Sequence, residues 1–233
     1  LAERAGPDPL GQVRVLAGVV GDLFAPRTCA LCDEPAPESP CDRCRARLVA
    51  PPARRLVDGA PILAAQPYVA PVADAVRRLK YERRVDVVPT LARLVAPLVA
   101  QLAARSELCL VPVPLHPHRL AERGFNQAAL LARAVAGEWC RDPRAPRAAV
   151  AARALCRTRA TGHQARRSRG ARLTALDGAF AAAGLARLGG RAVVLLDDVV
   201  TTGATARACI AALREAGAEV IGVLAACAAG TPR

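Results

Sequence analysis

The chain has 233 residues and a formal net charge of +13, and 53% of its residues are hydrophobic although only 3% are aromatic. That length suits one principal domain with a small addition, and the scarcity of aromatic residues favours a core of Val, Leu and Ala in helices and parallel strands. No run of about 18 uncharged apolar residues occurs, and the charged, proline-containing start differs from a signal peptide. We therefore expect a cytoplasmic protein without membrane insertion.

Two closely spaced pairs of cysteines dominate the first part of the chain. A short amphipathic helix is predicted over residues 12–24, and the pattern C-x2-C-x8-C-x2-C follows it, formed by Cys29, Cys32, Cys41 and Cys44. Two such turns can direct four thiolates at one zinc ion and leave no position open for a substrate, which indicates a structural site. Disulfides or redox pairs are the alternative, which a reducing compartment disfavours.

The remaining chain alternates between strand and helix patterns. A linker predicted over residues 50–61 divides the chain into an N-terminal part, residues 1–60, and a main domain, residues 61–233. The main domain is predicted to begin with helices over 72–84 and 87–105, the second kinked or broken at Pro97. A strand at 108–115 runs into a proline-rich loop and is followed by a helix over 126–139 and a long arginine-rich loop at 153–173. The last predicted elements are a strand at 191–200, a helix ending at Gly217 and a strand at 219–228. This alternation predicts an α/β fold with a parallel sheet.

Arginine is concentrated between residues 119 and 172. That stretch holds 13 arginines against three acidic residues, whereas Lys80 is the only lysine in the chain. Such an excess favours contact with phosphate groups. The alternative is a solvated arginine face in a chain that is biased towards arginine.

The stretch "VVLLDDVVTTGAT", residues 193–205, carries the most specific chemical signal. Two adjacent carboxylates, Asp197 and Asp198, are placed at the carboxyl end of a buried strand, where α/β proteins bind ligands, and they suit a pair of vicinal hydroxyls. The Thr/Gly-rich turn that follows offers backbone N–H groups and hydroxyls at a helix start, which suits a phosphate. Together they predict a ribose 5-phosphate site. Solvated aspartates before a helix cap are the alternative.

This stretch resembles the phosphoribosyl pyrophosphate (PRPP) motif of type I phosphoribosyltransferases. The resemblance implies that Asp197 and Asp198 hold the ribose hydroxyls. It also implies a 5-phosphate loop made of Thr201, Thr202, Gly203, Ala204 and Thr205. With the four-cysteine pattern, "LKYERR" at residues 79–84 and "VPVPLHPHRLAERGFNQA" at residues 111–128, nearly the whole chain resembles the ComF family, bacterial proteins associated with DNA uptake and use. The implied fold is a type I phosphoribosyltransferase-like parallel sheet flanked by helices, with a small N-terminal zinc module.

The resemblance also implies a pyrophosphate site with magnesium. Residues 111–127 occupy the place of the pyrophosphate loop, so Arg119 and Arg123 are the catalytic candidates, and Lys80 is a further PRPP-binding candidate. His116 and His118 are expected to be loop residues rather than acid catalysts. The arginine-rich segment resembles the family's mobile lid through Arg159, Thr161 and Gln164, and departs from it at Arg167 and Ala175.

Two functions follow as hypotheses. The first is an enzyme that transfers phosphoribosyl from PRPP to an unidentified acceptor in DNA uptake. The second is a non-catalytic PRPP-binding or nucleic-acid-binding accessory protein. The net charge supports binding to single-stranded DNA, although three Phe, two Tyr and one Trp offer few rings for stacking bases.

Overall fold

The computed structural model describes residues 27–52, 54–102, 107–158, 176, 178–184 and 188–230. The helix predicted over residues 12–24 lies outside these residues. So does most of the arginine-rich segment, with the predicted lid residues Arg159, Thr161 and Gln164 and the two departures Arg167 and Ala175.

A six-stranded sheet forms the centre of the molecule, in the order β1-β2-β8-β7-β3-β4. Its strands are β1 (Arg55–Val57), β2 (Ala60–Pro67), β3 (Leu108–Pro112), β4 (Ala148–Val150), β7 (Ala192–Val200) and β8 (Val220–Ala228). The edge strand β1 is antiparallel to β2, and every other pair is parallel. A separate antiparallel pair is formed by β5 (Leu155–Arg157) and β6 (Phe180–Ala182).

Helices cover both faces of this sheet. They are α1 (Asp42–Arg45), α2 (Val72–Tyr81), α3 (Val88–Val99), α4 (Pro117–Arg123), α5 (Gln127–Trp139) and α6 (Ala204–Glu215), with a 3-10 turn at Val85–Val87. Helices α3 and α5 pack together on one face, while α6 lies on the other with the β5–β6 pair. The predicted class, a parallel sheet flanked by helices, is confirmed.

The aliphatic run of β7 explains its central position. Val194 and Leu196 are buried against the face that carries α3 and α5, and Val193 and Leu195 are buried against the face that carries α6. Because side chains alternate across a strand, only a strand covered on both faces needs an uninterrupted aliphatic sequence. The same alternation directs Asp197 and Asp198 to opposite faces at the carboxyl end.

The structure corrects several predicted boundaries. Residues 50–61, predicted as a linker, contain β1 and the start of β2, which pair in the main sheet. The predicted helix over 87–105 continues through Pro97 and ends at Val99. The proline-rich loop contains helix α4, because Pro117 stands at the first helical position, where the missing N–H costs no hydrogen bond. The arginine-rich loop begins with β5.

The cysteine module packs onto the main domain. Cys29, Leu31 and Cys44 are buried in the same apolar cluster as Leu79 of α2 and Leu91 of α3. A hydrogen bond of 3.0 Å joins the hydroxyls of Ser39 and Thr90, and Arg93 of α3 donates to the carbonyl of Ser39 at 2.8 Å. The module and the helices on this face of the sheet therefore share one core. Division of the chain into parts at residue 60 stays a prediction.

Candidate functional site

Asp197 and Asp198 lie at the carboxyl end of β7, as the sequence predicts. Oδ1 of Asp197 accepts a hydrogen bond from the backbone N–H of Asp198, and Oδ1 of Asp198 accepts one from the N–H of Val199, both at 2.8 Å. Asp198 is only 3% exposed, while Asp197 is partly buried. The alternative interpretation, a strand that ends in solvated aspartates, therefore does not hold for Asp198.

Lys80 is the counter-ion of this acidic pair. Its Nζ lies 2.8 Å from Oδ2 of Asp198, and both side chains are largely buried. Burial alone would lower the pKa of Lys80, but the negative charges of Asp198 and Asp197 outweigh burial and raise it above its ordinary value. Lys80 is therefore an ammonium ion at neutral pH, brought to the strand end by helix α2.

Asp197 has an environment unlike that of an ordinary carboxyl group. Its removal from water raises its pKa to about 8, and the neighbouring charge of Asp198 acts in the same direction. Lys80 opposes this effect without cancelling it. Asp197 therefore holds a proton more readily than an ordinary carboxyl group does.

The predicted phosphate loop connects β7 to the start of α6. Gly203 caps the helix in the left-handed conformation, with a φ of 81°, and the N–H of Ala204 donates to the hydroxyl of Thr202 at 3.4 Å. Arg55 of β1 braces the loop from outside, since its guanidinium donates to the carbonyl of Thr201 at 2.6 Å. Thr205 lies in the first turn of α6. The loop thus combines hydroxyls with the positive end of a helix dipole, which suits an anion.

A cationic cleft lies beside Lys80. Its volume is about 440 Å³, and it is lined by Lys80, Tyr81, Arg83, Arg119, Glu122 and Arg123. The two arginines predicted as catalytic, Arg119 and Arg123, come from α4. The structure brings both to the same cleft as Lys80, with four cationic side chains against one carboxylate.

Several residues that line this cleft contact one another or their neighbours. The guanidinium of Arg123 lies 5.8 Å from the ring centroid of Tyr81 and donates to Oε1 of Gln127 at 2.6 Å. Arg83 donates to the carbonyl of Glu122 at 2.9 Å, which links the end of α2 to α4. Sequence reasoning did not single out Tyr81 or Arg83. Their position within "LKYERR", beside the predicted Lys80, is the signal that could have identified them.

Neighbouring residues extend the positive charge. Burial and, to a smaller extent, the charge of Arg119 lower the pKa of Arg157, the last residue of β5. His116 caps α4, because its Nδ1 accepts from the N–H of His118 at 3.2 Å. His118 in turn lies 3.4 Å from Glu122.

The four cysteines of the N-terminal module form one cluster. Their sulfur atoms all lie within 4.8 Å of one another, and none is in a disulfide. Tetrahedral zinc with Zn–S bonds of about 2.3 Å requires S–S separations of about 3.8 Å, and the Sγ atoms of Cys32 and Cys41 are 3.7 Å apart. The residues therefore fit a zinc ion. Among the described residues, this is the one cluster of three or more potential metal ligands from His, Cys, Asp and Glu.

Hydrogen bonds from backbone N–H groups favour the thiolate form of one cysteine in this cluster. Burial alone would raise the pKa of Cys29, but hydrogen bonds from the backbone of Cys41, Leu31 and Cys32 lower it to about 6. Burial and the neighbouring thiols raise the pKa of Cys44. One thiolate is thus formed near neutral pH, and a bound cation would favour deprotonation of the others.

Residues 145–233 match the family model of the phosphoribosyl transferase domain, so the sheet, the acidic pair and the loop define a phosphoribosyltransferase-type protein. Over 209 residues the chain is 34% identical to "DNA utilization protein YhgH" of Escherichia coli O6:H1, covering 85% of this chain and 83% of that protein. Over 161 residues it is 30% identical to "Competence protein F" of Haemophilus influenzae, covering 67% of each. The chain belongs to the ComF family.

None of the helices in the described part of the chain is both long enough and apolar enough to cross a bilayer.

Proposed function

We propose that this protein binds PRPP with magnesium and transfers its phosphoribosyl group to an unidentified acceptor in DNA uptake or use. The observation that carries this proposal is the arrangement at the end of β7. There the acidic pair is followed directly in the chain by a phosphate-type loop, and Asp198 of the pair contacts Lys80, which lines a cleft with four cations. These three parts correspond to the hydroxyls, the 5-phosphate and the pyrophosphate of one ligand.

The acidic pair and the loop would hold the ribose 5-phosphate end. The carboxyl groups of Asp197 and Asp198 can accept hydrogen bonds from hydroxyls, and such bonds are among the stronger ones in proteins when the carboxyl group is ionised. The hydroxyls of Thr201, Thr202 and Thr205, with the N–H groups at the start of α6, would receive the phosphate. The pair also suits magnesium, which binds proteins through one or two carboxylates plus substrate phosphates and would neutralise charge on the pyrophosphate.

The cationic cleft would receive the leaving group. Transfer breaks the bond from ribose C1 to a pyrophosphate oxygen and forms a bond from C1 to the acceptor, whose displaced proton passes to solvent. Negative charge therefore builds on the departing pyrophosphate, and fixed cations stabilise it in the transition state. Arg119 and Arg123 line the cleft and can supply that charge, while Lys80 lies between the cleft and Asp198.

The link to DNA comes from the names of the relatives. The E. coli protein is named for DNA utilization and the H. influenzae protein for competence. A net charge of +13 is compatible with a polyanionic acceptor or partner, including single-stranded DNA.

Calorimetric titration with PRPP and magnesium tests binding, and a pyrophosphate-release screen over bases, nucleotides and DNA tests transfer. Arg123→Ala should reduce pyrophosphate release at least tenfold, since a lost transition-state contact of about 1.4 kcal/mol is tenfold in rate. Arg133→Ala is the matched control, because Arg133 is an exposed arginine of α5 that does not line the cleft. Failure of the parent protein to bind PRPP would overturn the proposal.

The second candidate is a non-catalytic accessory protein that binds PRPP or nucleic acid. The existing pair between Lys80 and Asp198 favours it, because one of the two carboxylates assigned to the ribose already has a counter-ion. PRPP binding without pyrophosphate release over the whole acceptor screen would support this candidate. Binding to single-stranded DNA that weakens steeply with salt would identify the nucleic-acid form.

A further inference from the structure

Arg78 connects the four-cysteine module to helix α2. Its side chain is only 11% exposed. Its Nη2 donates to the carbonyl of Leu31 at 2.6 Å and to that of Ala30 at 3.1 Å, and its Nη1 lies 3.6 Å from Oδ1 of Asp33. One largely buried guanidinium thus binds two neighbouring carbonyls of one turn and lies near the carboxylate that follows the turn.

That turn belongs to the metal cluster. Ala30 and Leu31 are the two residues between Cys29 and Cys32, so the carbonyls that Arg78 binds are those of the first C-x2-C turn. A metal ion that fixes both sulfur atoms also fixes the peptide groups between them. The hydrogen-bond acceptors of Arg78 are therefore set by the geometry of the cluster.

The same helix carries the counter-ion of the acidic pair. Lys80 follows Arg78 by two residues in α2, and Leu79 between them is fully buried in the shared core. The last turn of α2 is thus fixed at two points, by Arg78 to the cysteine turn and by Lys80 to Asp198. A displacement of the cysteine turn would therefore act on the same helical turn that carries Lys80.

We propose that Arg78 is a positioning residue that couples the four-cysteine metal module to the Lys80–Asp198 pair. The module then has a task beyond local folding, because its first turn sets where Lys80 stands at the phosphoribosyl site. This inference rests on the proposed function only for its effect on PRPP. The coupling between Arg78 and Lys80 is a property of the free protein and is measured without any ligand.

The single lysine of the chain provides a direct measurement. An amine-reactive acylating reagent modifies only Lys80 and the α-amino group, and mass spectrometry of the peptide that contains Lys80 gives its rate. A buried ammonium paired with a carboxylate reacts slowly, because acylation requires the free amine. Arg78→Ala should raise the acylation rate of Lys80 at least fivefold in the zinc-loaded protein, and Asp198→Asn should raise it as the positive control.

Two control variants separate coupling from general loosening. Arg77→Ala removes an exposed arginine of the same helix that pairs with Asp74. Arg93→Ala removes a contact to the same module, but from α3, which does not carry Lys80. Both should leave the acylation rate of Lys80 at the parental value. An unchanged rate in Arg78→Ala, or an equal rise in Arg93→Ala, would overturn the coupling.

Coupling between two sites is reciprocal, so PRPP binding should affect zinc binding and zinc binding should affect PRPP binding. In Arg78→Ala, transfer of zinc to a chromogenic chelator should be faster than in the parent, and PRPP affinity should fall about fivefold or more. PRPP should slow zinc transfer in the parent and have little effect in Arg78→Ala. A parent that binds no PRPP while Arg78→Ala still exposes Lys80 would refute the proposed function and leave the coupling intact. The opposite result, PRPP binding with an unchanged Lys80 rate in Arg78→Ala, would refute the coupling alone.

Discussion

Gly203 lies so close to Val57 that a β-carbon at position 203 would come within 2.9 Å of Val57 Cγ2. The glycine also has a φ of +81°, a conformation that other residues adopt at a cost. Val57 belongs to the edge strand β1, so the loop that contains Gly203 lies against the β1–β2 pair. The absence of a side chain at position 203 is what allows this contact.

Replacement of this glycine should therefore destabilise the protein. Gly203→Ala should lower the free energy of unfolding by at least about 1–2 kcal/mol, the cost of the left-handed conformation, with the contact to Val57 added. Gly137→Ala is the control, since Gly137 lies in α5 with no atom near its missing β-carbon, and it should be neutral or stabilising by up to about 1 kcal/mol. Urea unfolding measures both, and equal stability of the two variants would refute this account of the loop.

The acidic pair should be needed for PRPP but not for inorganic phosphate. Asp197→Asn and Asp198→Asn should each weaken PRPP binding about tenfold or more, since each removes an acceptor worth about 1.5–3 kcal/mol. Phosphate should be less affected, because the threonine loop and the start of α6 stay in place. Calorimetric titration of both ligands checks this, after circular dichroism has shown that the variants fold. PRPP binding equal to the parent's in both variants would exclude the ribose assignment.

The titration of Asp197 should appear in the pH dependence of stability. Burial and Asp198 raise its pKa from 3.8 to about 8 in the folded chain. A raised acid pKa stabilises the fold below the unfolded value, and this contribution is lost as the pH rises from 3.8 through about 8. The parent should therefore lose more unfolding free energy than Asp197→Asn between pH 5 and pH 9, as measured by urea unfolding. Parallel pH profiles of the two proteins would contradict the raised pKa.

Zinc content should depend on the paired cysteines alone. Cys32→Ser should lose close to one zinc per chain in elemental analysis, because three thiolates cannot complete the tetrahedral shell. Cys140→Ser and Cys156→Ser are the controls, as both cysteines are exposed and lie outside the cluster, and they should keep their zinc. Retained zinc in Cys32→Ser would exclude the site.

The sequence predicts the parts of the site that are contiguous in the chain. The acidic pair, the threonine loop and the cysteine pairs each depend on neighbouring residues, so local spacing is enough to find them. The pair of Lys80 with Asp198 joins residues far apart in the chain, and no local pattern records it. Tyr81 and Arg83 are likewise distant from Arg119 in the chain, so the sequence does not predict that they line one cleft.

The elements of the fold also differ in how well the sequence predicts them. Long strands and helices such as β7 and α5 have enough periodicity to be predicted, whereas three-residue strands such as β1 and β4 have none. The sequence does not predict helix α4, because prolines are typical of loops, although Pro117 begins this helix. Arg78 is an ordinary helix residue in the sequence, and only folding shows that it reaches the cysteine turn.

The order of strands in the sheet also fixes when the domain can be completed during synthesis. β7 and β8 occupy the two central positions, yet of the six strands they leave the ribosome last. Before then the β1–β2 pair and the β3–β4 pair have no strand between them, so β2 and β3 present unpaired apolar edges. The nascent chain therefore carries two half-sheets that cannot join. The six-stranded sheet can be completed only after β8, which ends at Ala228, has left the ribosome, and until then unpaired strand edges of this kind favour aggregation.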